Sequence, residues 1–325
     1  MRKLFSVTLL FMLIPIVGCQ APKIRLFPSQ ADPLQEYVLE GKEDEKILVV
    51  PIRGIITDSP REGLVRTRPS VVQEVVSQLR LAEADEDVKA VILKIDSPGG
   101  TVTASDILYN EIATYKNRTG AKIVVALMGV AASGGYYIAL PADYILAHPT
   151  TITGSIGVIF ARPKVAGLMQ KLGVAVEVNK SGIDKDMGSP FRPTSAGEEK
   201  IFQAQTDRLG VRFVELVARH RKLGPEVMAQ ISTARVYLGD EALELGLVDE
   251  VGYIENAIDR AKKLAGLADD AKIVVYRRTE YPDDNIYNTA TQYDGGKLSL
   301  ISMDLPVALN QIQTGFHYLW PAAIE

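Results

Sequence analysis

The chain has 325 residues, 47% of them apolar and 23% charged, with a formal net charge of -4. That composition suits one large folded core or two modest ones and excludes a disordered chain. The 36 lysines and arginines form no dense cluster, which excludes the electrostatic footprint of nucleic-acid binding.

The chain begins "MRKLFSVTLLFMLIPIVGC", with basic Arg2 and Lys3, an apolar stretch to Ile16 and a small residue before the sole cysteine, Cys19. Residues 1–18 read as an export signal, too short for a convincing membrane span. "IVGC" resembles the lipobox of bacterial lipoproteins, in which the Cys19 thiol takes a diacylglycerol and becomes the new N-terminus. Gln20 stands where an aspartate marks inner-membrane retention in some bacteria, so the expected location is the cell envelope, with the outer membrane favoured. A lone cysteine excludes an intramolecular disulfide. Residues 19–45, rich in proline and charge, read as a tether.

Short apolar runs follow: "KILVVPIRGII" from Lys46, "KAVILKID" from Lys89, "AKIVVALM" from Ala121, "DYILAH" from Asp143 and "VAVEV" from Val174. Without clean alternation they predict strands buried on both faces. Between them, "SVVQEVVSQLRLAEADE" and "ASDILYNEIATYKN" carry helical spacing. Strand and helix alternation predicts an α/β domain over residues 46–276, built of βαβ units around a mainly parallel sheet. Ser195 and Glu198 form a predicted capping box before a long helix that Gly224 and Pro225 end. Residues 277–325 read as an irregular tail.

Three glycine-containing turns follow predicted strands: "DSPGGTV", "GVAASGGYY" and "TGSIGV". Glycine lets backbone N–H groups approach a reacting oxygen, so Gly100 and Gly134 could form an oxyanion hole beside Ser133 at a helix start. A serine needs a base. His148, at a strand end, is the one histidine placed for a triad, since His220 sits on a charged helix end and His317 in the aromatic tail. Lysine is the alternative, although an ordinary lysine is neutral in only about one molecule in 2500 at neutral pH. Lys180 and Lys185 both lie in the loop after "VAVEV", and their spacing does not choose between them. The reading includes no cofactor and no metal.

Taken together, "DSPGGTV", "AASGGYYIA", "TGSIGV", "SGIDKDMGSPFR" and "ARVYLGDEALELGLVDEVG" resemble, in order and spacing, bacterial signal peptide peptidases of the SppA type. The resemblance covers residues 46–266 and implies a Clp-protease-like, crotonase-like fold. It implies Ser133 as nucleophile, Lys185 as general base, Ser155 as the hydroxyl that orients the lysine, and Gly100 with Gly134 as oxyanion donors. The implied substrates are cleaved signal peptides and other apolar, unfolded segments. Longer relatives carry two copies of the fold and take the lysine from one and the serine from the other. A single-copy chain is therefore expected to assemble as a ring of identical subunits, eight in number, with Ser133 of one meeting Lys185 of the next. A lipobox here replaces the family's usual uncleaved anchor, and the tail "TGFHYLWPAAIE" has no role that the resemblance supplies. Two other readings of the fold are a non-catalytic assembly scaffold and an acyl-CoA hydratase or isomerase.

Overall fold

The computed structural model describes residues 32–62, 67–291 and 314–323. Cys19, the signal peptide and the first part of the tether lie outside the described residues. The chain forms β1 (Gln35–Glu40), β2 (Glu43–Arg53), β3 (Arg61–Glu62), β4 (Thr67–Arg68), α1 (Val71–Glu83), β5 (Val88–Ser97), β6 (Gly99–Thr101) and α2 (Val102–Thr119). It continues through β7 (Lys122–Ala132), α3 (Gly134–Tyr137), β8 (Tyr144–Ala147), β9 (Ile152–Gly154), β10 (Ile159–Ala161) and α4 (Ala166–Leu172). It closes with α5 (Ala196–Arg221), α6 (Pro225–Ile231), β11 (Val236–Leu238), α7 (Gly239–Glu244), β12 (Glu250–Val251), α8 (Ile254–Ala265), β13 (Ala271–Arg277) and β14 (Gly315–Leu319).

The main sheet has the order β1-β13-β2-β5-β7-β8-β12, with β9 also on β7 and β11 on β9. Pairing is parallel from β13 through β12, and antiparallel only for β1 on β13 and β11 on β9. The unalternating apolar runs fall in its centre because both faces are covered. Leu48 and Val50 of β2 join Val91, Leu93, Ile123 and Val125 in one core under α1, α2 and α5. Ile47 and Val49 join Ala90, Ile92, Val124 and Ala126 in a second core under α8. Full burial of a side chain such as Leu108 or Ile112 of α2 stabilises the fold by about 1.5–3 kcal/mol.

Caps fix the helix starts. Ser70 accepts from Gln73 N, Thr101 from Ala104 N, and Ser195 and Glu198 close the expected capping box on α5. The end of α5 comes slightly before the expected stop: Lys222 takes the left-handed C-cap, and Gly224 and Pro225 instead open α6.

Three expectations are corrected. The stretch read as tether contains β1 and the start of β2; Tyr37 and Leu39 pack on the second core, a strand signal hidden by flanking glutamates. Residues 174–178 form no strand, and Val174, Val176 and Val178 stand 54%, 47% and 53% exposed, because no strand edge among the described residues receives them. The tail is not wholly irregular, since β14 pairs between β10 and β6 in a second, three-stranded sheet.

Candidate active site

β7 ends at Ala132 and the chain turns sharply at Ser133, whose φ of 52° and ψ of -116° cost an L-residue about 1–3 kcal/mol. The neighbouring strand sustains that turn. Ala132 faces Gly154 in the parallel β7/β9 register, and Ser133 N donates to Gly154 O at 2.8 Å. The helix that follows is one turn, closed by Tyr137 N donating to Ser133 O at 2.9 Å. Its dipole is correspondingly small, so the electrostatic help expected from a helix start is minor. Ser133 is 1% exposed, and its Oγ is buried without a hydrogen-bond partner. An orphaned buried hydroxyl costs about 1–3 kcal/mol, which a partner arriving later would recover.

Ser155 repeats the geometry one strand away. Its φ is 51°, its N donates to Arg235 O at 2.9 Å, and it is 8% exposed. The register thus brings Ser133 and Ser155 to adjacent strand ends.

The glycine turns also converge. A Cβ on Gly134 would stand 2.5 Å from Ser105 Oγ and 3.1 Å from Gly100 N, and one on Gly100 only 1.8 Å from Ile56 O. Small residues here serve both tight backbone packing and an approachable backbone. Gly99 N is already engaged, donating to Ser97 Oγ at 3.1 Å.

The candidate bases separate clearly. His148 Nδ1 lies 2.9 Å from Thr150 Oγ1, its ring meets Tyr253 edge-on, and it makes no bond to the orphaned Ser133 Oγ. His220 Nε2 lies 2.8 Å from Tyr109 Oη. His317 sits on β14, facing Thr101. Lys180 Nζ is committed to Asp186 Oδ1 at 2.7 Å and Ile183 O at 2.9 Å. Lys185 is exposed, tied locally through its backbone N to Gly182 O at 3.2 Å, and does not reach Ser133 Oγ within this chain. Arg192 braces the same loop through Asp186 and Glu198, and holds both carboxyls below their usual range.

Sequence reasoning missed β14, which lies on the Gly99–Thr101 strand beside Ser133. Its signal was the spacing of Phe316 and Tyr318, which places both aromatics on one face of a strand.

Comparison with known proteins covers the same stretch of the chain. The model of peptidase family S49 matches residues 115–268, which include Ser133, Ser155 and Lys185, and the Clp protease model matches residues 66–151, which include both glycine turns at Gly100 and Gly134. A putative signal peptide peptidase SppA of Enterococcus faecium is 34% identical over 84% of this chain and 79% of its own length. A putative protease of Methanocaldococcus jannaschii is 40% identical over 60% of this chain and 61% of its own. Protease 4 of Haemophilus influenzae is 31% identical over 89% of this chain, which spans 46% of that longer protein. With a strained serine at a strand end, a Clp-like α/β frame around it and these relatives, the chain belongs to peptidase family S49 and is a serine endopeptidase of the SppA type.

Proposed function

We propose that the protein is a membrane-attached peptidase in which Ser133 is activated by Lys185 of a neighbouring copy. The observation that carries this reading is the pairing of a buried, unpartnered Ser133 Oγ with an exposed Lys185 on a braced loop of the same chain. Each group lacks what the other supplies.

Assembly would serve the chemistry directly. An ammonium in water is no base at neutral pH, and burial against a neighbour releases its proton. Lys185 Nζ then takes the Ser133 proton, Ser155 Oγ holds the amine in place, and Ser133 Oγ attacks the peptide carbonyl. The N–H groups of Gly100 and Gly134 stabilise the oxyanion. The leaving amine takes the proton back from the lysine, and water hydrolyses the acyl-enzyme.

The apolar residues left open near Lys185 support a subunit contact: Leu168, Leu172, Val174, Val176, Val178 and Ile183 are each between 47% and 83% exposed. Head-to-tail contacts of this kind close into a ring, here of eight subunits. The substrates are extended apolar peptides such as cleaved signal peptides, a reading supported by the similarity to the signal peptide peptidase of Enterococcus faecium. Lipid on Cys19 would hold the domain at the envelope membrane, the outer membrane being favoured. Among the described residues no helix is long and apolar enough to cross a membrane.

The test is a set of three single variants. Lys185→Ala should abolish peptide cleavage as fully as Ser133→Ala, because nucleophile and base act as a unit. His148→Ala should retain most activity, and loss in His148→Ala with retention in Lys185→Ala overturns the assignment.

A further inference from the structure

The turn that carries Gly100 is one that glycine alone would leave loose. Gly99 has a φ of +99°, and the peptide plane between Gly99 and Gly100 is flanked by two residues with no Cβ to hinder its rotation. Hydrogen bonds set which way that plane faces. Ile56 N donates to Gly99 O at 2.9 Å, and Thr101 N donates back to Ile56 O at 3.0 Å. In a trans peptide the carbonyl and the following N–H point in opposite directions, so the Gly100 N–H points away from Ile56. A Cβ on Gly134 would stand 3.1 Å from Gly100 N, and one on Gly99 2.6 Å from Gly134 N, which brings the two expected donors together. A half-turn of the plane would aim the Gly99 carbonyl, with its partial negative charge, where the N–H now points.

Ser97 ends β5, is fully buried, and has no part in the steps derived above. Its Oγ donates to Gly54 O at 2.6 Å and accepts from Gly99 N at 3.1 Å. The directions are unambiguous, because a carbonyl only accepts and an amide only donates. Gly54 lies two residues before Ile56, so the hydroxyl joins the segment that holds Gly99 O to the nitrogen of the same glycine. Ser97 also meets the helix start that follows Ser133: a Cβ on Gly135 would lie 2.6 Å from Ser97 O and 3.6 Å from Ser97 Cβ.

We infer that Ser97 is a positioning residue for the reaction, its hydroxyl holding the Gly99–Gly100 peptide plane with the Gly100 N–H toward the oxyanion. This rests on the reading of Ser133 as nucleophile and Gly100 as donor. The hydroxyl acts through Gly100 and not on the substrate itself. Without it, Gly54 O and the buried Gly99 N lose that partner, the plane turns between two orientations, and only one of them receives an oxyanion.

Ser97→Ala and the near-isosteric Ser97→Cys, whose thiol is a weaker donor and acceptor, test this on the full-length protein with an apolar fluorogenic peptide and the aldehyde of the same sequence. The aldehyde carbon bonds to Ser133 Oγ and its carbonyl oxygen becomes the oxyanion, so its affinity reports the oxyanion site. Affinity for the uncut peptide, measured in a Ser133→Ala background, does not. Ser97→Ala should lower kcat by about 10- to 100-fold, weaken the aldehyde by the same factor, and leave peptide affinity within about twofold. Ser97→Cys should fall between Ser97→Ala and the unmodified protein. Unchanged kcat and aldehyde affinity in a variant that melts as the unmodified protein does overturn the assignment, and so does an equal loss of peptide and aldehyde binding, the mark of a merely structural role. Should Ser97→Ala fail to fold, Ser97→Cys carries the same comparison with the same two overturning results. Cleavage that survives Ser133→Ala defeats the nucleophile beneath the inference, whereas its loss there, with kcat intact in folded Ser97 variants, defeats the positioning role alone.

Discussion

Ser133 N donates to Gly154 O at 2.8 Å, and that one bond sets Ser155, the residue after Gly154, beside the turn at Ser133. Both serines have positive φ, a conformation that costs energy twice within one pair of strand ends. If Ser155 orients the incoming lysine, Ser155→Ala should lower kcat on the order of 10²-fold with little change in KM. Steady-state kinetics checks this, and a change in KM alone would show that Ser155 contacts substrate instead.

Gly100 has no room for a side chain. A Cβ there would stand 1.8 Å from Ile56 O, a backbone atom tied down by Thr101 N donating to it at 3.0 Å. Gly100→Ala should therefore destabilise the protein by about 1–3 kcal/mol or more and abolish cleavage. Thermal melting beside an activity assay measures both, and a variant with unchanged melting and activity would contradict the close approach.

The Lys185 loop should loosen in acid. Arg192, followed by Lys180, depresses the Asp186 carboxyl, and Arg192 likewise depresses Glu198. A depressed carboxyl contributes stability that is present above its unfolded value of about 4 and is lost as pH falls through the folded value. Hydrogen exchange across residues 180–193 should show protection at neutral pH that starts to decline below about pH 4 and is lost as pH falls through the folded value of Glu198, about 2, and Asp186→Asn should weaken it at neutral pH. Protection that persists unchanged into strong acid would place the order of this loop elsewhere.

Much of the fold was legible because the central strands are buried on both faces, which writes β2, β5 and β7 as continuous apolar runs. Edge elements were not. β1 shows only Tyr37 and Leu39 to the core among charged neighbours, and β14 owes its strand to partners far away in sequence. "VAVEV" misled for the opposite reason: local β-propensity without a pairing edge among the described residues. At the site, the small residues around Ser133 announced a tight turn, but the separate fates of Lys180 and Lys185 depended on Asp186, which loop composition cannot resolve.

The anchor is a separate question from the chemistry. Cys19→Ser should prevent lipid attachment and release or mislocalise the protein while the purified domain still cuts peptides. Mass spectrometry of the mature N-terminus decides it, and an unmodified start at a residue other than Cys19 would contradict the lipid anchor.

The shared dyad is tested most directly by mixing inactive chains. Ser133→Ala and Lys185→Ala proteins, each inert alone, are unfolded together in equal amounts and reassembled. If Ser133 of one subunit meets Lys185 of the next, about one site in four regains both groups, one half times one half for random neighbours in a closed ring, and activity returns in that proportion. If the dyad forms within one subunit, no site is restored, and reassembled rings that remain inactive would contradict the account.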